Sequence, residues 1–98
     1  MLLLGKLRLE IFVRQHEEAR VPLGAWQLEA EESAWAGPED VQARYADAVV
    51  ESNRILFTFR KLYKLDVKAE FKNGVLLVQR IWTEVTKPAV QKTARSKA

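Results

Sequence analysis

The sequence predicts an α+β domain, with two to three helices packed on one face of a small curved antiparallel sheet. Three observations carry that reading. Up to Tyr45 the apolar residues recur at helical spacing, and beyond it they alternate. Asn73-Gly74 stands between the alternating run Lys64–Lys72 and a returning strand, and is the dipeptide preferred in tight hairpins. Charge divides along nearly the same line. Residues 1–51 hold 5 Lys/Arg and 10 Asp/Glu, a net of −5, whereas residues 52–98 hold 11 and 3, a net of +8. Positive charge therefore collects on the strands and on the segment after them, where it can attract a polyanion by counterion release.

Met1–Leu4 suits a short first strand. Leu9, Phe12, Val13 and His16 follow at i, i+3, i+4 and i+7, the spacing of one helical face. Leu7, Leu9, Ile11 and Val13 also alternate as in a strand, and the helix is the preferred reading. Pro22 fits the first turn of a second helix, which would run to about Ser33 and bury Leu23, Trp26 and Ala30. Gly37-Pro38-Glu39-Asp40 is a break and a new helix start, because proline presets φ and the acids complement the positive helix end. Val41, Arg44 and Tyr45 belong to this short third helix.

Arg54 to Arg60 reads as a strand. From Lys64 to Lys72 alternation is unbroken, with Leu65, Val67, Ala69 and Phe71 on one face and Lys64, Asp66, Lys68, Glu70 and Lys72 on the other. Val75 to Trp82 is the returning strand. The predicted order is β-α-α-α-β-β-β, which leaves the lysine-bearing sheet face toward solvent or a ligand. Residues 1–88 read as one domain, and 89–98 as a basic tail without structure of its own.

Composition excludes several chemistries. The chain of 98 residues has no Cys and one His, His16. It can hold no disulfide or thiolate nucleophile, and neither a His-clustered metal site nor a Ser-His triad of the usual kind is expected. The apolar start is too short for a secretory signal, and no stretch approaches a membrane span. The expected location is the cytoplasm, with no membrane partner and no cofactor.

Several residues line up with a known family. His16, Ala19, Pro22-Leu23, Ala25-Trp26, Trp35, Pro38, Asp40, Tyr45 and Ala48 resemble the HigB branch of the RelE/ParE toxin superfamily. Asn53-Arg54-Ile55-Leu56-Phe57 is similar to that branch's Asn-Arg-Val-Val-Phe strand, and Tyr63-Lys64-Leu65 with Val67-Lys68 to its Tyr-Arg-Leu-x-Val-Lys strand. The resemblance spans about residues 4 to 83. It implies a RelE-like toxin that cleaves messenger RNA, usually on the ribosome, without a metal. It also implies a helix-turn-helix antitoxin as partner, with DNA reached only indirectly through that antitoxin. The sequence departs from the family near its end. Where the family has Gly-Thr-His-x-Glu-Tyr-Asp, this chain has Trp82-Thr83-Glu84-Val85-Thr86-Lys87-Pro88. The family's Gly-Asn turn is here the shorter Arg60-Lys61-Leu62.

Cleavage by 2′-hydroxyl attack needs a base, a cation for the charged phosphorane and an acid for the leaving 5′-oxygen. The catalytic candidates are Arg80, Glu84 and Lys64, with Glu84 as base and Asp66 or Glu70 as possible neighbours. Lys64 and Lys68 share a face roughly 13 Å apart at most, which suits successive phosphates or serves to guard a sheet edge. Arg54 either binds RNA or pairs with an acid such as Asp40 or Asp47. Arg80 is expected on one face of the last strand between Val78 and Trp82. Tyr63 and Trp82 either stack on bases or pack in the core. Arg60, Lys61 and Lys87 complete the RNA-binding set. Trp26, Trp35 and His16 read as packing residues. Two other functions fit the same residues: a catalytically degenerate protein of this fold that only binds RNA or antitoxin, and an unrelated basic adaptor domain.

Overall fold

The structure, a computed structural model, describes residues 1–84. Lys87, the boundary at residue 88 and the tail 89–98 lie outside them. The elements are β1 (Leu2–Leu4), α1 (Lys6–Gln15), α2 (Arg20–Glu32), α3 (Pro38–Arg44), β2 (Val49–Glu51), β3 (Arg54–Phe59), β4 (Tyr63–Glu70) and β5 (Val75–Thr83). A 3₁₀ turn, Glu17–Ala19, joins α1 to α2. The strands form one sheet in the order β1-β5-β4-β3-β2. The α+β class and the three helices agree with expectation. Among the described residues no helix is long and apolar enough to cross a membrane.

The buried residues of each helix are the ones its spacing selects. These are Leu9, Phe12 and Val13 on α1, Leu23, Trp26 and Ala30 on α2, and Val41 on α3. They form a single core with Leu3, Ile55, Phe57, Tyr63, Leu65, Val67, Ala69, Leu76 and Val78 from the sheet. Trp26 and Phe57 meet edge to face at 5.3 Å between ring centroids. Pro38 opens α3 next to Glu39 and Asp40, and the Asp40 carboxylate accepts from the Ala36 amide at 2.8 Å.

Four features differ from expectation. The sheet is mixed, because β1 runs parallel to β5, with Leu2, Leu3 and Leu4 beside Val75, Leu76 and Leu77. An additional strand, β2, pairs with β3, and the chain reverses through Ser52-Asn53 with Ser52 in the left-handed region at φ 57°. Three residues after a helix carry too little periodicity to announce a strand, and only the Val-Val followed by Ser-Asn hints at it. The Asn73-Gly74 hairpin is wider than two residues. Glu70 pairs with Val75, and Phe71–Asn73 form a 3₁₀ turn closed by left-handed Gly74. Phe71 and Lys72 therefore leave the strand, and Lys72 drops off the lysine row.

The fourth difference lies in β5. From Tyr63↔Thr83 to Asp66↔Arg80 the register is regular, but Val67 pairs with Val78, leaving Gln79 unmatched. This bulge inserts one residue and reverses the facing of everything beyond it. Leu76 and Val78 point into the core, whereas Arg80 and Trp82 point to the opposite face. Val78 and Arg80 do not share a face as alternation alone would place them.

Gly5 sets how α1 leaves β1. Its φ is 84°, and a Cβ there would lie 3.0 Å from the Val78 carbonyl oxygen. A side chain would add strain of about 1–2 kcal/mol to that clash.

Candidate nucleic-acid interface

The sheet face away from the helices follows from register. Tyr63, Leu65, Val67 and Ala69 of β4 are buried, so Lys64, Asp66, Lys68 and Glu70 take the other face. Their partners there are Thr58, Leu56 and Arg54 on β3, and Trp82, Arg80, Leu77 and Val75 on β5. The face is cationic in its middle and apolar toward β1, where Leu2, Leu4 and Leu77 are exposed.

At the end nearest the β3–β4 turn the catalytic candidates meet. Lys64 lies opposite Trp82, and its ammonium is 3.9 Å from a Glu84 carboxylate oxygen, an ion pair without a direct hydrogen bond. The Lys64 ammonium also donates to the Thr58 hydroxyl at 3.2 Å. The Arg80 guanidinium stacks on the Trp82 ring 4.4 Å from its centroid. The Glu84 amide donates to the Leu62 carbonyl at 2.8 Å, which ties the end of β5 to the turn. Glu70 is not among these residues. It pairs with Val75 at the far end of β4 and cannot tune Glu84.

Arg60 and Lys61 form that turn, both in the left-handed region at φ 54° and 63°. The Leu62 amide closes it onto the Phe59 carbonyl at 3.1 Å. Two consecutive positive φ angles are the pattern of the turn that most favours Asn-Gly. Two long basic side chains therefore occupy strained positions at the tip of the sheet.

Arg54 is paired, with neither Asp40 nor Asp47 but with Asp66. Its Nε donates to Oδ1 at 3.3 Å and its Nη2 to Oδ2, a two-pronged grip across β3 and β4. That bond, with the carboxylate's charge, raises the Arg54 pKa. Asp66 is buried by this contact although it lies on the open face, with only 8% of its surface exposed. It also lies directly opposite Arg80. Asp66 thus grips one guanidinium and stands across the ladder from Arg80, with which it forms no ion pair. Lys68 stands opposite Arg54 and is exposed. A groove of about 400 Å³ runs over this region, lined by Val49, Glu51, Arg54, Leu56, Asp66 and Trp82.

Tyr63 belongs to the core, as its alternation with Leu65 and Val67 suggests, so its ring presents no stacking surface. Its hydroxyl donates to the Glu18 carboxylate at 2.7 Å, which holds that carboxyl below the usual carboxylate range. Burial, then the Glu18 bond, raises the phenol's pKa. Arg60 reaches the same segment and donates to the Glu18 carbonyl at 3.3 Å. His16 packs as expected, stacked on Phe12 at 4.3 Å between centroids.

Sequence reading did not associate Glu18 with this end of the sheet. The two members of the Tyr63–Glu18 pair are 45 residues apart, and no local pattern links them. Among the described residues no three His, Asp or Glu side chains stand together as a metal-ligand set. Compared with protein-family models and with curated protein sequences, the chain matches none.

Proposed function

We propose that this chain is the toxin of a HigB-type toxin–antitoxin pair, a ribosome-dependent endoribonuclease that cleaves messenger RNA and is neutralised by a helix-turn-helix antitoxin. One observation carries the reading: Lys64, Arg80, Trp82 and Glu84 converge at one end of an open, cationic sheet face. The chemistry they support runs on side chains. Glu84 accepts the 2′-proton while the 2′-oxygen attacks phosphorus. Arg80 and Lys64 offset the charge that grows on the phosphorane oxygens. The phosphorus–O5′ bond breaks, Lys64 supplies a proton to the departing oxygen, and a 2′,3′-cyclic phosphate remains. Lys68, Arg60 and Lys61 hold flanking phosphates.

The test is induction in a bacterial host with message cleavage mapped by primer extension. Arrest with cleavage at ribosome-bound sites, lost in Arg80→Ala and in Glu84→Gln variants that stay folded and bind ribosomes, is the expected result. Growth and message unchanged in every host tested would overturn it.

One observation favours a second reading, a protein of this architecture that binds RNA or antitoxin without cutting. Asp66 engages Arg54 and stands opposite Arg80, so a carboxylate competes with phosphate where a nuclease needs free cations. Ribosome binding without cleavage, unchanged in Glu84→Gln, would favour it.

A further inference from the structure

β1 covers β5 only at Val75–Leu77, so among the described residues the outer half of β5 has no strand on that side, and α1 packs beside it instead. A groove of about 460 Å³ opens there, between Arg8, Ile11 and Phe12 of α1 and Arg80, Ile81 and Trp82 of β5. Among the described residues its lining contains two guanidinium groups and no carboxylate. Among the described residues neither Arg8 nor Arg80 has an acidic partner within ion-pair distance. Two uncompensated cations beside an indole and three apolar side chains suit a ligand with an anionic part and a flat apolar part. Trp82 also lines the open-face groove, so the two grooves meet at its ring. Arg80 covers one face of that ring at 4.4 Å.

We propose that single-stranded RNA leaves the open face at Trp82, stacks a base against that ring, and continues over the β5 edge into the α1 groove, where Arg8 binds the next phosphate. The inference rests on the RNA reading above and adds to it a second segment of binding path with Arg8 as a specificity-neutral phosphate contact. Stacking on an indole with a guanidinium behind it is sequence-tolerant, because every base has a π-face.

The probe is intrinsic fluorescence titrated with a hexauridylate and a diuridylate over a range of salt. Trp26 and Trp35 are buried, so Trp82 is the tryptophan a ligand can reach. Hexauridylate should quench the wild type. Arg8→Gln should weaken it several-fold and flatten the salt slope by about 0.7, the contribution of one phosphate on a single strand. Diuridylate, too short to fill both grooves, should bind the Arg8 variant as it binds the wild type. Trp82→Leu and Trp82→Phe lack the quenched indole, so their affinities are read from the anisotropy of fluorescein-labelled hexauridylate; Trp82→Leu should lose about tenfold, and Trp82→Phe should recover most of it. Arg8 is an exposed helix residue, so its variant tests the path even if Trp82 variants fold poorly. Unchanged affinity and slope in Arg8→Gln would overturn the path, and if Lys64→Glu still weakened binding the open-face reading would stand. A glutamate-rich peptide quenching as strongly as hexauridylate would overturn RNA as the occupant. Oligonucleotide binding with no message cleavage in cells would overturn the nuclease reading and leave this path standing.

Discussion

Arg80 stands directly opposite Asp66, while Val78, two residues earlier on the same strand, stands opposite Asp66's neighbour Val67. The one-residue discrepancy is the bulge at Gln79. It lets a single strand fill the core with Leu76 and Val78 and then present Arg80 and Trp82 outward. A regular strand would have turned both toward the helices.

Deleting Gln79 tests that device. Without the unmatched residue, Val67↔Val78 and Asp66↔Arg80 become consecutive pairs of a regular ladder, and alternation still turns Val78 inward and Arg80 outward. The deletion variant should therefore keep its cooperative urea transition, with a stability change within the roughly 0.5–3 kcal/mol usual for a single change. Loss of the cooperative transition would show that Gln79 does more than take up one residue of register.

Asp66→Asn removes the carboxylate that grips Arg54. Asp66 is nearly covered but the side chain of Arg54 is 55% exposed, so the pair is well screened and the loss of stability should be small. The same substitution removes a negative charge from the cationic face, so hexauridylate should bind several-fold more tightly. Denaturation and titration on one preparation measure both. Weaker oligonucleotide binding would mean that Asp66 orients Arg54 for the ligand rather than competing with it.

Replacing Arg60-Lys61 by Asn-Gly should stabilise the protein. Each left-handed residue with a long side chain costs about 1–2 kcal/mol, and the chain entropy of the new glycine returns part of the gain. A net of about 1 kcal/mol corresponds to roughly 4–8 °C in melting temperature for a domain of this size. Oligonucleotide affinity should fall in parallel, since two cations leave the sheet tip. A lower melting temperature would show that contacts of these side chains outweigh the backbone strain.

Acid should weaken the junction of α2 with α3. Glu29 accepts from the Tyr45 hydroxyl at 2.6 Å and pairs with Arg44. The Tyr45 bond, then Arg44, holds the Glu29 carboxyl below its ordinary value of 4.5. A depressed folded-state value contributes stability above the unfolded value and loses it as pH falls through the folded one. The urea midpoint should therefore drop as pH falls below about 4.5, and Tyr45→Phe should reduce that drop while lowering stability at neutral pH. An identical acid dependence in the variant would place the sensitive carboxylates elsewhere.

Much of the architecture was legible in the chain. Helix positions follow from Leu9, Phe12, Val13, Leu23, Trp26, Ala30 and Val41, because a 3.6-residue period leaves little freedom in which face is buried. The lysine row of β4 follows from strict alternation for the same kind of reason. Tertiary pairing alone decided the rest. The parallel docking of Met1–Leu4's strand depends on a partner more than seventy residues away, and three residues cannot specify it. Arg54's choice of Asp66 over Asp40 or Asp47 depends on which strands become neighbours. The bulge at Gln79 is invisible locally, since nothing in Val78-Gln79-Arg80 departs from strand composition. It forms because the core takes Leu76 and Val78 while Arg80 and Trp82 cannot be buried without partners, and only the assembled sheet brings those two demands onto one strand.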